Sequence, residues 1–475
     1  MRTKILIAAI VFAAVFTLGT GQALAIHRSV VLSRGRTWLY DKVPYSQSKY
    51  HLGYRTDCSG FVSMCWQLTE PSGAAESLST RSLYTVSTKI KTSALAVGDA
   101  ECFPNHHTFL FVAWTDLAHT AMVTLEESGS GIGTVSRVRS MASLTGFIPY
   151  RFNSIEEDPR WKRYVQFVEG VDRYATAARA SGVGFTSASS VVVASGENWP
   201  DALGAAGLAG AVKGPVLLVQ HDRVPAPVFG EIDRLKAKKV FIIGGVGVVS
   251  SGVEQSFRDK GIAVERIGGR NRYQTAGAVA RRTVKALADA HRPWDGTVLL
   301  ANGDDWPDAV AASAPSARMG WPIVLSPSGD LAVEASATLG TLNARRAILL
   351  GGEGMLTDAV WREVSDRGIQ AERWSGRNRR LTALEIANRC ALLGMTWKNV
   401  AVTSDASFAD ALAGGVMQAQ TGSLVLLNPS RGLDASVAAA IKAHKAGIGV
   451  ARTLGGDAAI DYEVRHSIYD ILGTP

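Results

Sequence analysis

The chain has 475 residues, 47% of them hydrophobic and 19% charged, with a formal net charge of +8 and a pI near 9.3. Because one hydrophobic core rarely serves a chain of this length, we expect several folded domains. The positive charge is scattered and forms no basic stripe, which argues against a nucleic-acid-binding protein and favours another kind of anionic partner.

The first 25 residues have the features of a secretory signal peptide. Arg2 and Lys4 give a positive start, residues 5–18 form an apolar run, and the small residues at 23–25 mark a cleavage site. We therefore expect the mature chain to begin near Ile26. The apolar run is shorter than the roughly 18 to 20 residues that span a bilayer, so we expect secretion to the cell surface without a membrane anchor. At that location the basic net charge favours an anionic wall polymer or a membrane surface as partner, before nucleic acid.

The region from 26 to 152 predicts a helix followed by strands. An apolar helix candidate follows Cys58, and strand-like segments occupy Thr108–Trp114 and Ala121–Glu126. This order is typical of an α+β domain. The polar residues that follow, 153–164, predict a linker.

The segment Asp57-Cys58-Ser59-Gly60-Phe61-Val62 places a cysteine where a loop enters a helix. Asp57 can cap the helix, and the apolar spacing begins at Phe61. The positive end of a helix lowers a cysteine pKa and so increases the nucleophilic thiolate fraction, which predicts a reactive Cys58. The alternative is a small buried hydrophobe, because free cysteines are commonly buried.

The cysteine segment and its surroundings resemble the NlpC/P60 family of papain-like cell-wall peptidases over roughly residues 36–152. The resemblance rests on the run from Tyr54 to Val62, on Leu95-Ala96-Val97-Gly98-Asp99, on His107 at the start of a strand and on Glu126 in the next strand. It implies a papain-like α+β fold that cleaves amide bonds in the stem peptides of peptidoglycan. The fold alone does not specify which amide bond is cleaved.

Carried over by position, the resemblance implies Cys58 as the nucleophile, His107 as the base and Glu126 as the group that orients the imidazole. His106 is the rival base. Because neighbouring residues of a strand point to opposite faces, only one of the two histidines can face the thiol. Glu127 lies next to Glu126, so the alternative for this pair is a solvated strand end with two carboxylates.

The same resemblance implies a substrate groove that includes Tyr45, Asp57 and Ser59. Ordinary packing is the alternative for Tyr45. The remaining cysteines leave two possibilities open, since Cys65 and Cys102 either form a bridge or stay as buried free thiols.

A threefold repeat occupies the C-terminal two thirds of the chain, and each unit has four parts in a fixed order. The first part contains a recurring arginine, and the second is a Trp-Pro-Asp-Ala segment or a variant of it. A short apolar strand and a strand that ends in two glycines complete the unit. The arginines are Arg173, Arg272 and Arg379, the aspartates Asp201, Asp308 and Asp410, and the glycine pairs begin at Gly244, Gly351 and Gly455.

The period of about 100 residues makes each unit large enough to be a domain. Continuous apolar strands such as Val191–Ala194 alternate with helical stretches such as Ser251–Lys260. This alternation predicts three tandem α/β domains with parallel sheets, at 165–266, 267–373 and 374–475.

The three units resemble the cell-wall-binding repeat type 2 family. The resemblance rests on the Asp/Asn-Arg-Tyr-x-Thr-Ala segment, the Trp-Pro-Asp-Ala segment and the Gly-Gly strand end. It implies noncovalent attachment to an anionic wall polymer such as a teichoic acid. Guanidinium groups pair well with phosphate or carboxylate, so Arg173, Arg272 and Arg379 are the candidate polymer contacts.

A structural role is the alternative for these arginines, in which each pairs with the aspartate of its own repeat. The third copy also departs from the pattern, since Arg380 replaces a tyrosine, Phe408 a tryptophan and Ala409 a proline. This departure puts one of three binding sites in doubt.

No metal or cofactor is predicted. The segments Gly245-Val246-Gly247 and Gly352-Glu353-Gly354 lack the third glycine of a dinucleotide-binding loop, so they predict tight strand-to-helix turns. The sequence has no His-Glu-x-x-His and no Cys-x-x-Cys pair. Two functions stay open, a wall hydrolase with its own anchor and a noncatalytic structural or adhesive surface protein.

Overall fold

The computed structural model describes residues 25–114, 119–156, 164–456 and 458–473. The chain divides into two compact units, one comprising mainly the described residues before 157 and the other mainly those from 164 onward. Residues 1–24 of the predicted signal peptide lie outside the described residues. Within the described ranges, no helix combines the length and the apolar composition needed to cross a membrane.

The N-terminal unit has two helices followed by a six-stranded sheet, as the sequence predicted for an α+β domain. The helices are α1 (Arg28–Tyr40) and α2 (Cys58–Cys65). The strands are β1 (Ile26–His27), β2 (Tyr50–His51), β3 (Tyr54–Arg55), β4 (Ser87–Lys89), β5 (Ala100–Phe103), β6 (His107–Trp114), β7 (Ala121–Glu127), β8 (Thr134–Ser140), β9 (Ile148–Phe152) and β10 (Ile155–Glu156). The sheet order is β4-β9-β5-β6-β7-β8, and β10 pairs in parallel with β1.

Small residues let the first two helices pack closely on the sheet. A Cβ atom at Gly35 of α1 would lie 2.8 Å from Leu125 Cδ2 of β7 and 3.1 Å from Cys65 Sγ of α2. Every residue of α2 is buried. Residues 155 and 156, which the sequence assigned to the linker, belong instead to the pairing of β10 with β1; most of the remaining predicted linker lies outside the described residues.

The second unit alternates strands and helices. Its strands are β11 (Tyr164–Val168), β12 (Ser190–Ser195), β13 (Val216–Val219), β14 (Lys239–Ile243), β15 (Ala263–Ile267), β16 (Thr297–Asn302), β17 (Ile323–Ser326), β18 (Arg346–Leu350), β19 (Gln370–Trp374), β20 (Thr396–Ser404), β21 (Ser423–Asn428) and β22 (Val450–Leu454). Its helices are α3 (Arg173–Gly184), α4 (Trp199–Ala202), α5 (Ala205–Val212), α6 (Ala226–Leu235), α7 (Ser251–Asp259), α8 (Arg272–Asp289), α9 (Pro307–Ala311), α10 (Ser313–Met319), α11 (Val333–Leu342), α12 (Asp358–Ser365), α13 (Arg379–Leu392), α14 (Phe408–Gln420), α15 (Ala435–His444) and α16 (Tyr462–Gly473).

These strands form three parallel four-stranded sheets, which confirms the predicted sheet type. The orders are β13-β12-β14-β15, β17-β16-β18-β19 and β21-β20-β22-β11. In the first two sheets the fourth strand is the last before the next repeat begins. In the third sheet that position is filled by β11, which comes from the start of the first repeat. The chain thus closes the three repeats into a ring.

The three repeats share one hydrophobic core, which runs from Val168 to Leu472. Helices α5, α10 and α14 pack against one another at its centre. Their small residues permit close approach, since a Cβ atom at Gly210 would lie 1.9 Å from the Ala317 carbonyl oxygen and one at Gly415 1.8 Å from Ser313 Oγ. The three repeats are therefore not independent of one another, because β11 of the first repeat completes the third sheet and all three contribute to a common core.

The ring closure predicts that damage to β11 destabilises the third repeat. Val168 is fully buried and pairs with Leu454, while its carbonyl accepts a hydrogen bond of 3.0 Å from the Gly455 N–H. We expect Val168→Asp to lower the free energy of unfolding by more than about 3 kcal/mol, because it buries an unpaired charge. Hydrogen exchange should show faster opening of β20 and β22.

The matched control is Val171→Asp, since Val171 is 85% exposed just after the same strand. That variant should change stability by less than about 0.5 kcal/mol. Equal stability of the two variants would contradict the ring closure.

Candidate functional site

Cys58 begins helix α2, where the sequence placed it. Asp57 caps the helix by accepting a 2.7 Å hydrogen bond from the Gly60 N–H. Gly60 is required because a Cβ atom there would lie 1.9 Å from the Arg55 carbonyl oxygen. The backbone N–H of Thr108, at the start of β6, lies close enough to the Cys58 thiol to lower its pKa.

The expectation of a lowered thiol pKa is not met in this structure. Burial raises the pKa of Cys58 to about 11, and the Thr108 N–H lowers it only in part. The side chain is 7% exposed. Loss of hydration therefore outweighs the effect of the helix end, and the thiol is protonated at neutral pH.

His107 and Glu126 form the pair that the sequence resemblance implied. The His107 Nε2 atom lies 2.7 Å from Glu126 Oε2, and the Glu126 side chain is fully buried. Burial alone would raise the pKa of Glu126, but hydrogen bonds from His107 and Arg139 lower it to about 2. The carboxylate is therefore ionised at any pH at which the protein is expected to work.

Sequence reasoning missed the two arginines that surround Glu126. Arg139 donates from Nε to Oε1 at 2.9 Å and from Nη2 to Oε2 at 2.5 Å, and Arg137 Nε lies 3.3 Å from Oε1. Thr124 donates to the same Oε1 atom at 3.1 Å. The sequence did contain a signal for them. Arg137 and Arg139 are two residues apart on β8, so both lie on the same face of this strand, which is next to the strand that carries Glu126.

The rival residues occupy other environments. His106 packs against the Phe103 ring at 4.3 Å between centroids. Glu127 is fully buried and not at a solvated strand end; its Oε2 atom accepts from the Thr134 hydroxyl. Burial raises the pKa of Glu127 to about 7. Among the described residues, its Oε1 atom has no hydrogen-bond partner.

The three predicted substrate contacts differ in what they touch. Asp57 accepts hydrogen bonds from Arg55 at 2.5 Å and from Ser59 Oγ at 3.2 Å, besides the cap bond, and both Asp57 and Ser59 are buried. Tyr45 is partly exposed, and burial raises the pKa of its hydroxyl. Substrate contact stays a prediction for all three residues.

All four cysteines are buried free thiols, so the Cys65 and Cys102 bridge is not formed. Cys102 Sγ lies instead 3.4 Å from the Thr80 carbonyl oxygen. Among the described residues, no group of three or more His, Cys, Asp or Glu side chains is arranged to hold a metal ion.

In the second unit, the first part of each repeat is a helix start. Asp172, Asn271 and Asn378 cap α3, α8 and α13. Four residues further on, a threonine hydroxyl accepts a hydrogen bond from the glycine N–H that begins the segment. The three bonds are Gly170 to Thr176 at 3.1 Å, Gly269 to Thr275 at 3.0 Å and Gly376 to Thr382 at 3.1 Å.

This helix start meets the Trp-Pro-Asp-Ala segment of the preceding repeat. Thr275 lies close enough to Asp201, and Thr382 to Asp308, for the threonine hydroxyl to lower the pKa of the aspartate. Asp410 of the last repeat interacts with the charge of Arg173 in the first. We call these contacts the first, second and third junctions. The predicted alternative, in which each arginine pairs with the aspartate of its own repeat, is therefore wrong, because the aspartate faces the next repeat around the ring.

A glycine of positive φ lies against each junction aspartate. Gly244, Gly351 and Gly455 have φ values of +109°, +93° and +99°. A Cβ atom at these positions would lie 3.0, 2.2 and 2.5 Å from the Oδ2 atom of Asp201, Asp308 and Asp410. The paired glycines are thus tight turns at strand ends, as the sequence predicted.

The three candidate polymer-binding arginines bind the backbone of their own repeats. Arg173 donates to the Gly196 carbonyl at 2.5 Å, Arg379 donates to the Asp405 carbonyl at 3.0 Å, and Arg272 donates to the Gly303 carbonyl. Arg272 and Arg379 also lie over the tryptophan rings of the preceding repeat, Trp199 at 5.2 Å and Trp306 at 5.9 Å. These arginines therefore connect consecutive repeats, and polymer contact stays a prediction for them.

Comparison with known proteins gives one family match for each repeat. The model of the cell wall binding domain 2 (CWB2) family matches residues 168–254, 266–361 and 373–465. The chain is 28% identical over 265 residues to N-acetylmuramoyl-L-alanine amidase LytC of Bacillus subtilis (strain 168), covering 56% of this chain and 50% of that protein. It is 26% identical over 307 residues to the amidase enhancer of the same organism, covering 63% and 39%. The chain spans half or less of the length of these relatives.

Two solved structures share the fold. Cwp6 from Clostridium difficile superposes with a TM-score of 0.58 at 20% identity, covering 74% of this chain and 57% of the other. Cwp8 from the same organism gives a TM-score of 0.57 at 20% identity, covering 74% and 59%. At this level of identity, the likeness concerns the fold.

The junction aspartates predict a pH dependence of stability. Burial raises the pKa of Asp308 and of Asp410 to about 6, although Thr382 and Arg173 respectively lower it. The pKa of these carboxyls is higher in the folded state than the value near 3.9 expected in the unfolded state. Each carboxyl therefore contributes to stability at a pH below about 3.9, and this stabilising contribution is lost as the pH rises through about 6. The ring should therefore be more stable at pH 4 than at pH 8 with respect to these groups.

We expect Asp410→Asn to raise the free energy of unfolding at pH 8 by up to about 3 kcal/mol and to change it little at pH 4. Denaturant titration at both values measures the difference. Asp330→Asn is the control, because Asp330 is exposed and should give no pH-dependent gain. A destabilised Asp410→Asn variant at pH 8 would rule out the desolvation argument.

Proposed function

The chain belongs to the cell wall binding domain 2 family, and on that premise we propose that it is a wall-anchored cysteine hydrolase that cleaves amide bonds in peptidoglycan stem peptides. Its three repeats associate the protein with the cell wall. In this proposal they hold it through an anionic wall polymer such as a teichoic acid, and the N-terminal unit is a papain-like domain of the NlpC/P60 kind that carries the chemistry.

The observation that carries the hydrolase proposal is the 2.7 Å contact between His107 and the fully buried Glu126 carboxylate. A buried carboxylate fixes the tautomer and orientation of an imidazole, as a base in acyl transfer requires. The thiol of Cys58 lies beside Thr108, the residue that follows His107. In this proposal the nucleophile, the base and the orienting group act together at the start of β6.

In the proposed mechanism His107 acts as a general base. Its Nε2 atom contacts Glu126, which leaves Nδ1 for the thiol. Because burial keeps the Cys58 thiol protonated at neutral pH, its proton passes to Nδ1 as the sulfur attacks the amide carbonyl carbon. The imidazolium then protonates the leaving amine as the C–N bond breaks. Water, deprotonated by the same imidazole, hydrolyses the thioester and restores the thiol.

Glu126 stabilises the imidazolium in this scheme, and the two arginines set the strength of that effect. Arg137 and Arg139 contact the same carboxylate, so part of its charge is already compensated. The hydrogen bonds of Arg139 and the ion pair of Arg137 also hold Glu126 in place when His107 is neutral. We assign both arginines a positioning role.

The catalytic proposal predicts distinct losses for neighbouring residues. Cys58→Ala and His107→Ala should each lower amide hydrolysis by at least about 1000-fold, because each removes a group that the acyl transfer needs. Glu126→Gln should lower it by about 10-fold to 100-fold, since the amide orients the imidazole but carries no charge. Mass spectrometry of fragments released from purified peptidoglycan measures these rates.

His106→Ala is the control for His107→Ala, because the His106 ring packs on Phe103. Its rate should stay within about threefold of the natural protein if the fold is retained. Cys102→Ala serves the same purpose for Cys58→Ala. Comparable losses in the paired variants, with folded proteins in each case, would refute the assignment of roles.

The second candidate function is a noncatalytic structural or adhesive surface protein. The deep burial of Cys58 favours it, because a 7% exposed thiol meets substrate only where the groove opens. Alkylation of the thiol by iodoacetamide separates the two candidates. A working site should be labelled faster in the natural protein than in His107→Ala, whereas an inert buried thiol should react at the same slow rate in both.

The anchoring proposal predicts binding of the full chain to intact walls and loss of binding to walls stripped of anionic polymers. Its support is the net charge of +8 together with the family repeats. Raising the salt concentration from 0.05 to about 0.5 M should weaken retention, because exposed charges are then screened. Cosedimentation with walls measures this, and equal binding to stripped and intact walls would contradict an anionic ligand.

A further inference from the structure

The three junctions of the ring differ in the charge that they present to solvent. They share one architecture, with a capped helix start from one repeat facing a glycine turn and an aspartate from the preceding repeat. The side chains at equivalent positions are not the same, however. This difference decides where an anionic ligand fits.

The first difference lies two residues before the arginine of each helix start. Arg270 occupies this position at the first junction and Arg377 at the second, and both are exposed. Among the described residues, neither guanidinium has a hydrogen-bond or ion-pair partner inside the protein. At the third junction the same position holds Val171, which is 85% exposed.

The second difference lies in the glycine turn that faces this position. The turn carries Val246 at the first junction and the exposed Glu353 at the second. The helix cap is also unequal, because Asn271 and Asn378 are neutral and Asp172 at the third junction is acidic. At the first junction the outer arginine therefore faces no charged side chain on the glycine turn, at the second it faces Glu353, and the third lacks this arginine, although Asn271 of the first junction also donates to the Glu334 carboxylate at 3.0 Å.

The first junction also has a groove of about 350 Å³. Arg270, Asn271 and Arg272 line one side of it, and Asn198, Asp201 and the turn from Gly245 to Val248 line the other. A volume of this size holds a sugar ring with one charged substituent. The Arg270 guanidinium is available at the groove, whereas Arg272 already binds the Gly303 carbonyl.

We propose that the first junction is the principal site for an anionic sugar substituent, a phosphate or a carboxylate, with Arg270 as its direct contact. Arg377 provides a weaker equivalent site at the second junction, where Glu353 opposes it, and the third junction holds no anion. The proposal deepens the anchoring function and rests on it. In this proposal the ligand contacts are Arg270 and Arg377, and not the arginines that connect the repeats.

Single variants of the full chain test this order of sites. Arg270→Ala should weaken binding to intact walls about tenfold, which is the loss of one charge-assisted hydrogen-bonded contact. Arg377→Ala should weaken it less, by about threefold. Val171→Arg, which copies the first junction into the third, should strengthen binding.

Arg367→Ala is the matched control. The Arg367 side chain is exposed, and its guanidinium has no polar partner among the described residues. Arg367 lies before β19, whereas Arg377 lies after it. The variant loses the same formal charge and should bind as the natural protein does. All these substitutions affect exposed side chains, so thermal unfolding should be unchanged.

Chemical treatment of the walls identifies the anion. Hydrofluoric acid removes phosphodiester-linked polymers, and carbodiimide with an amine neutralises carboxylates. The treatment that abolishes the difference between the natural protein and Arg270→Ala names the group that Arg270 contacts. A difference that survives both treatments would overturn the proposal.

The outcomes also separate this proposal from the anchoring function. If the natural protein fails to bind intact walls, the anchoring function itself is wrong. If it binds, and Arg270→Ala binds as well as Arg367→Ala, anchoring stands and the assignment to the first junction is wrong.

Discussion

The second unit depends on one contact, in which a buried aspartate of each repeat faces the capped helix start of the next. Asp201 meets Thr275, Asp308 meets Thr382, and Asp410 meets the charge of Arg173. Burying a carboxyl is unfavourable unless it is hydrogen-bonded or neutralised, so the groups of the following repeat reduce the free-energy cost of burying each aspartate. Because the third contact returns to the first repeat, the three repeats are stable together.

This dependence explains why one edge strand of each sheet is contributed by the chain leading into another repeat. The third sheet cannot be completed by its own repeat, because β11 supplies its edge strand from the start of the first repeat. The central helices also join the repeats, since their glycine and alanine residues allow them to pack closely against one another.

The N-terminal unit uses buried charge differently. Glu126 is ionised inside the protein because His107, Arg137, Arg139 and Thr124 supply hydrogen bonds and positive charge around it. Cys58 has only backbone N–H groups to offset its burial, so its thiol stays protonated. In the proposed mechanism Glu126 therefore orients the His107 imidazole, and His107 must then take the proton of the Cys58 thiol.

The sequence by itself determined the features that depend on a few neighbouring residues. The cap at Asp57, the start of α2 at Cys58, the parallel strand type and the glycine turns all follow from local capping, periodicity and backbone freedom. The pairing of His107 with Glu126 could be predicted from the family resemblance, because the two residues lie on the consecutive strands β6 and β7. Only the tertiary structure decided which repeat each aspartate faces, that β11 completes the third sheet, that Arg137 and Arg139 surround Glu126, and that Cys58 is too buried to ionise. These outcomes depend on the path of the chain between distant segments and on the loss of hydration, which local sequence patterns do not specify.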